Sequence, residues 1–407
     1  MRAFRHRDFR VLWIGAFLSF LGSWVQNAAQ GWIVYELTHD VAKTAFVSFC
    51  SMIPVSIFGP FAGGFVDRYN KRTVLIVTQA VFAVTALSLA VLIQLRMMQY
   101  WHILLAALVN GIVSTIEMPA RQSVISRVVP AEDLPSAIPL NALTFNLSRL
   151  VGPALGALLL SAFGAQWCYG ANGISYLALI ISALTIRADL TSSLTEKSPI
   201  KDLLFEGMLY TFRDPRLRTL FIMESIVSCF GLFYLSLMAP IAKTMLGLGE
   251  RGYGMVMSSV GIGALVGLLT LTAIASKPYK AQIVGISMAV MGISLALLGY
   301  ARDLWTAVPL VALVGGAAIM QFNTTNMLFQ TLSPERLRGR VIAMHVWALS
   351  ELAPPGVIFF GWLASATSIP LSLHVGGLCV VIGAVWGYFN RHRLIGVDGE
   401  VQPVVTI

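Results

Sequence analysis

Gly59-Pro60-Phe61-Ala62-Gly63-Gly64-Phe65-Val66-Asp67-Arg68-Tyr69-Asn70-Lys71-Arg72 lies between two long apolar runs, and its reading decides the fold. An apolar helix runs out in small residues and ends at Asp67; after a short loop, Lys71 and Arg72 open the next apolar run. Small residues let a helix end approach a neighbour closely. A helix C-terminus is already electronegative, so Asp67 needs a positive partner there. Lys and Arg in so short a loop mark the cytoplasmic side of a membrane.

The composition around this stretch excludes a soluble protein. The chain has 407 residues, of which 57% are hydrophobic and only 12% charged, with a mean hydropathy of +0.77. A bilayer can accommodate that much apolar surface; a water-soluble core cannot. The formal charge of +9 raises nucleic acid as a partner, but Lys and Arg sit in short segments between apolar runs and form no basic domain. Cys50, Cys168, Cys229 and Cys379 fall in or beside those runs without CxxC spacing, so neither a disulfide framework nor a metal site is expected. The basic N-terminus (Arg2, Arg5, Arg7, Arg10) leads into a run too long for a signal peptide and reads as a retained first span.

Twelve apolar runs follow one another: 11–36, 44–66, 73–95, 101–124, 135–162, 166–186, 217–242, 252–275, 281–301, 305–330, 340–364 and 370–390. Each approaches or exceeds the roughly 20 residues that a helix needs to cross about 30 Å of hydrocarbon. With the N-terminus inside, 22 of the 28 Lys and Arg fall on the cytoplasmic side. Five fall outside (Lys43, Arg96, Lys243, Arg251, Arg302), and Arg149 lies within a span. That asymmetry places both termini in the cytoplasm and the chain in the inner membrane.

Organisation is read from the one long internal break. Six helices over 1–190 form an N-terminal bundle, 191–216 a cytoplasmic linker, 217–392 a second bundle of six, and 393–407 a cytoplasmic tail. In the linker, Ile200, Leu203, Leu204, Met208 and Leu209 against Lys201, Asp202 and Glu206 predict an amphipathic helix at the membrane interface. The two halves echo each other. Pro130-Ala131-Glu132-Asp133-Leu134 precedes span five and Pro334-Glu335-Arg336-Leu337 precedes span eleven; 18 residues after the Leu come Gly152, followed by Pro153, in one and Pro355, within Pro354-Pro355, in the other. Such spacing suits parallel repeats. The second copy of the opening loop, Ser276-Lys277-Pro278-Tyr279-Lys280, keeps the charge and lacks the Gly-x-x-x-Asp.

These motifs carry a resemblance. Gly63-x-x-x-Asp67-Arg68-x-x-Lys71-Arg72 resembles the loop between the second and third helices of the major facilitator superfamily. Arg149-Leu150-Val151-Gly152-Pro153-Ala154-Leu155-Gly156-Ala157 is similar to the superfamily's antiporter motif, with Ala157 in place of a final Gly. Pro119-Ala120-Arg121-Gln122, Asn146-x-x-Arg149 and Leu337-Arg338-Gly339-Arg340 narrow the likeness to the exporter branch that holds macrolide efflux pumps and the enterobactin exporter. The resemblance implies an all-α membrane protein of two six-helix bundles rocking about a midplane site. It also implies export of a small amphipathic molecule (a drug, siderophore or metabolite) in exchange for protons. A lipid or lysolipid flippase or an importer on the same fold is the alternative, and a non-transporting receptor or scaffold is a third reading. No P-loop, metal spacing or nucleophile motif is present, so no enzyme, nucleotide or cofactor is expected and the proton gradient supplies the driving force.

Charges inside spans are costly and mark candidate sites. Asp67 is expected beside the donors of Leu337-Arg338-Gly339-Arg340 as part of a conformational switch. Arg149 is expected to pair with a carboxylate on another helix. Three carboxylates are candidates for the proton. Glu117 has Arg121 four residues on, an ion pair that is an alternative to a coupling role. Glu224 could instead reach back to Arg216 or Arg218. Glu351 lies nearest the midplane, has no local cation and adjoins the Pro354-Pro355 break, which makes it the preferred carrier; a buried neutral acid is its other reading. His345, on a different face, reads as a hydrogen-bonded packing residue. Gln26, Asn27, Gln30, Asn110, Asn323 and Asn326 are candidates for the substrate path, with interhelical hydrogen bonding as the plainer account.

Overall fold

The computed structural model describes residues 2–66, 68–191, 200–274, 280–350 and 352–391. Twelve spans long and apolar enough to cross a membrane are found among them. Their outward faces remain apolar, as Val84, Leu158 and Ile174 (each more than 60% exposed) illustrate. Such surface belongs in hydrocarbon.

The chain divides into two compact units. The first comprises Met1–Ser198 together with Met238–Lys243 and Leu248–Ser258; the second comprises Pro199–Leu237, Thr244–Gly247 and Ser259–Ile407. The first unit contains α1 (Arg7–Thr38), α2 (Val41–Val66), α3 (Lys71–Gln94), α4 (Tyr100–Val128), α5 (Leu134–Phe163) and α6 (Ala165–Thr185). Between α5 and α6 the chain turns at Gly164, whose φ of 85° suits a residue without a Cβ. At one end of the unit, Asp8 of α1 accepts from the backbone N–H groups of Arg187 and Ala188, both at 2.9 Å, and so ties the start of α1 to the chain leaving α6. At the other end, Lys243 meets Glu36 at 2.5 Å and Tyr253 Oη donates to the Ala28 carbonyl at 2.8 Å.

The second unit begins with α7 (Ile200–Arg213), where the linker was expected to form an amphipathic helix, and α8 (Pro215–Gly231). Asp214 caps α8 by accepting from the Arg216 N–H at 2.8 Å. Burial opposes the charge of Asp214, yet the side-chain and backbone donors of Arg216 hold its carboxyl below the usual range. Span seven, expected as one helix to 242, is broken instead. After a 3₁₀ turn at Phe233–Leu235 come α9 (Met238–Pro240) and five residues of π-helix, Ile241–Met245. Pro240 lacks an N–H and crowds the preceding turn, so it bends the chain there and forgoes one helical hydrogen bond. The remaining helices are α10 (Glu250–Ile274), α11 (Lys280–Leu298), α12 (Leu304–Leu332), α13 (Arg338–Ser350), α14 (Ala353–Ala366) and α15 (Ile369–Phe389). Span eleven is thus two helices, with Pro354 and Pro355 in the first turn of α14.

Both units repeat one packing plan. In the first, α3 packs on α4 and α6, and α1 on α5 and α6. In the second, α11 packs on α12 and α15, and α8 on α13, α14 and α15. Close α2–α4 contact in the first is made at Gly111, where a Cβ would fall 2.5 Å from the Ser51 carbonyl oxygen. Its counterpart, α10 against α12, is closer still: a Cβ at Gly263 would fall 1.8 Å from the Ala312 carbonyl oxygen. Small residues at these crossings bring backbones into contact, the usual basis of helix packing in lipid.

Candidate functional site

The basic loop residues do more than mark a side of the membrane. Lys71 is only 2% exposed. Its ammonium donates to the carbonyls of Val66, the last residue of α2, and Tyr69, at 2.9 and 3.1 Å. Arg72 donates to the carbonyl of Ile186, just beyond α6, at 2.6 Å. Cations on helix C-terminal carbonyls satisfy orphan acceptors and the helix dipole together. Arg68 is exposed, Gly63 lies within α2, and Asp67 lies outside the described residues. Of the donors expected for Asp67, Arg340 binds Glu206 of α7, as does neighbouring Arg336 at 2.5 Å. We predict that Lys71→Met, which keeps the volume and removes the charged donor, costs about 2 kcal/mol, the worth of a charge-assisted hydrogen bond. A melting temperature in detergent equal to that of the parent would rule out the capping role.

On α5, Gly152 and Gly156 set the approach to α1. A Cβ at Gly152 would fall 2.3 Å from that of Trp24, and one at Gly156 2.9 Å from the Val25 carbonyl oxygen. Pro153 is buried beside them, and Arg149 sits half-buried a turn away. Ala157, where the resemblance has Gly, faces Gly254: here the residue without a Cβ is on the partner helix, since a Cβ at Gly254 would fall 1.8 Å from that of Ala157.

Polar side chains then run along α1. Asn172 Nδ2 donates to Gln26 Oε1 at 2.7 Å and to Tyr176 Oη at 3.1 Å, and Tyr176 Oη meets Ser23 Oγ at 3.1 Å. One turn on, Ser19 donates to Gln79 Oε1 at 3.1 Å, and Gln79 Nε2 donates to Glu117 Oε1 at 3.4 Å. Glu117 also accepts from Arg121 Nε at 2.9 Å, and the Arg121 guanidinium lies 4.0 Å above the Phe20 ring. Glu117 therefore has the local partner that its spacing suggested. Asn110 Oδ1 accepts from Thr85 at 2.8 Å. Asn27 is exposed and Gln30 half-buried. An exposed Asn in mid-span needs a wet surface.

The second unit brings together two residues that the sequence did not pair. Glu224 on α8 is fully buried, and its Oε2 lies 2.5 Å from His345 Nδ1 on α13. Glu224 thus does not reach back to Arg216, whose guanidinium binds Asp214 at 2.8 Å. Helical spacing puts Glu224 on one buried face with Leu217, Leu220, Phe221, Val227, Ser228 and Gly231, but does not name the helix that covers it. Phe221 stacks on Trp347, and Ser228 donates to the Leu349 carbonyl at 2.7 Å, so the same face meets α13 on either side of the pair. The second oxygen of Glu224 meets no donor among the described residues. A buried carboxylate with an open acceptor is costly. Glu351 lies outside the described residues.

Asn323 and Asn326 line a cavity of about 300 Å³ with Leu268 and Thr272 of α10. Gln330, which sequence reasoning passed over, completes the row and donates to Asn326 Oδ1 at 2.5 Å. Positions 323, 326 and 330 share one face of α12, so the cavity presents amides and, among the described residues, no charged group.

Comparison with known proteins follows the same lines. The model of the transmembrane secretion effector family matches residues 1–401. The staphyloferrin A transporter of Staphylococcus aureus is 22% identical, over 93% of this chain and 95% of its own. Macrolide efflux protein A of Streptococcus pyogenes is 23% identical, over 95% and 96%. In structure, the nucleoside transporter NupG superposes with a TM-score of 0.77 at 16% identity, covering 94% of this chain and 98% of its own. That last likeness speaks for the fold alone.

Proposed function

Since the chain belongs to the transmembrane secretion effector family of the major facilitator superfamily, we propose that it exports a small amphipathic molecule in exchange for protons. One observation carries the coupling: Glu224 and His345, two titratable groups 2.5 Å apart and buried within the spans. A carboxylate and an imidazole so close titrate as one unit, and a proton taken up or released changes its charge by one. In hydrocarbon surroundings such a change is large enough to bias a conformational equilibrium. Glu117, committed to Arg121, serves the structure of the first unit.

Substrate passes along the uncharged polar side chains. Gln26, Asn27, Gln30 and Asn110 offer hydrogen bonds in the first unit, and Asn323 and Asn326 in the second. Staphyloferrin A and macrolides, the molecules named for the two relatives, are both rich in hydrogen-bonding oxygens, which suits such a path. Gly63, Asp67, Arg68, Lys71 and Arg72 act as the conformational switch, and Arg149, Gly152, Pro153 and Gly156 as the antiport motif. Both termini lie in the cytoplasm and the protein in the inner membrane, as the distribution of Lys and Arg favours.

Proteoliposomes with an imposed pH gradient test the proposal. A macrolide or staphyloferrin A should move uphill against the proton flux, and a protonophore should stop it. Movement in the same direction as the protons would favour an importer, and gradient-independent exchange of labelled lipid a flippase. No movement of any probe would favour a scaffold.

A further inference from the structure

The helices α11 and α15 cross where their backbones touch: a Cβ at Gly292 would fall 2.7 Å from the Gly377 carbonyl oxygen, and one at Gly377 2.5 Å from that of Gly292. On one side of the crossing they stay together, with Gly299 against His374 and Pro370. On the other side they part. At Gly285, two turns before the crossing, a Cβ would meet nothing within 4 Å. The gap is a groove of about 530 Å³ floored by Met223 of α8. That volume lies within the roughly 300–1,000 Å³ typical of ligand pockets.

The groove is apolar along its length and charged at one end. Ala281, Ala289 and Ala384 leave it deep, and Ile286 and Val385, 62% and 48% exposed, form its lips. Exposed aliphatic lips in a membrane protein face hydrocarbon, so the groove opens to the bilayer. At the end where α11 begins and α15 stops stand Gln282, Tyr388 and Arg391. The Arg391 guanidinium lies 3.9 Å above the Tyr388 ring, which positions it over the groove's mouth. A concavity facing hydrocarbon forfeits dispersion contacts unless a chain fills it. A cation at its mouth selects among headgroups.

We propose that this groove binds an anionic glycerophospholipid, one acyl chain between α11 and α15 and its phosphate on Arg391. This site is separate from the polar path and the Glu224–His345 pair; only its assignment to the inner leaflet rests on the orientation proposed above. Gln282 adds an amide at headgroup level. The lipid is then a structural ligand that seals the crossing of two peripheral helices.

Native mass spectrometry of the full-length protein in detergent tests this directly, with phosphatidylglycerol and phosphatidylcholine of identical acyl chains as probes. The parent should retain phosphatidylglycerol about fivefold over phosphatidylcholine, the ~1 kcal/mol worth of one basic residue at an anionic surface. Arg391→Gln should erase that preference and keep a basal adduct of both lipids. Gly285→Leu, which fills the groove where no atom stands in the way, should remove both adducts without altering the melting temperature of the delipidated protein. Retention of phosphatidylglycerol unchanged in both variants would overturn the proposal. So would a Gly285→Leu variant that keeps its lipid and shifts a dimer to monomer, since the groove would then seat a second copy of the chain. The readout involves no transport, so its failure leaves the coupling mechanism untouched.

Discussion

Glu224→Gln should bring uphill efflux down to the level of empty liposomes while downhill exchange of substrate continues. Gln keeps the shape of the side chain and can still hydrogen-bond His345 Nδ1 across the 2.5 Å now spanned by a carboxylate oxygen. The structural cost is therefore that of weakening one charge-assisted bond, about 1–3 kcal/mol. What disappears is the coupled titration of carboxylate and imidazole. The comparison that matters is drive, not binding. Efflux is measured at several values between about pH 6 and pH 8, so that a loss of drive at one pH is not mistaken for a shifted profile. Downhill exchange is measured without a pH gradient. His345→Gln should retain a shallow gradient response, because Glu224 can still titrate, with its midpoint displaced from the parent's. Full uphill efflux in Glu224→Gln at every pH would remove the pair from the mechanism. If Glu351→Gln abolished efflux in the same assay, the proton would belong to Glu351.

The fold was legible because hydropathy is a one-dimensional signal. Runs such as 73–95 and 370–390 fall within a few residues of α3 and α15, since the end of an apolar run and a capping residue coincide: Asn70 caps α3 and Ser368 caps α15. Span seven misled because the run stays apolar through the 3₁₀ turn at Phe233–Leu235 and the π-helix at Ile241–Met245, so hydropathy carries no sign of the break. Side-chain roles were legible only where both partners share a helix. Glu117 and Arg121 stand four residues apart, and the ion pair follows from helical geometry. Glu224 and His345 stand 121 positions apart, and nothing in either run says which face of α8 meets α13. Lys71 shows the same gap from the other direction. Counted with Arg72 as loop charge, it is buried and bound to the end of α2, because a long aliphatic stem lets an ammonium fold back onto carbonyls close by in sequence.

Glu117→Ala should cost the protein about 3–5 kcal/mol, the penalty for removing one member of a buried ion pair. Arg121 would be left 7% exposed and without its Glu117 acceptor, its guanidinium against the Phe20 ring. The single variant should accumulate poorly and melt well below the parent in detergent. Neutralising both ends at once avoids the stranded charge. Glu117→Gln with Arg121→Met keeps the volumes, retains an acceptor for Gln79 Nε2 and should recover most of the lost stability. This pair of variants also separates structure from mechanism. If Glu117 serves only to hold α4 against α1 and α3, the double variant transports uphill with the parent's pH profile. If Glu117 carries the proton, the double variant folds and exchanges substrate downhill but no longer responds to the gradient. The first outcome removes Glu117 and leaves the choice between the Glu224–His345 pair and Glu351, because the polar row from Ser19 through Gln79 to Glu117 would then be scaffolding whose charge can be deleted without loss of drive.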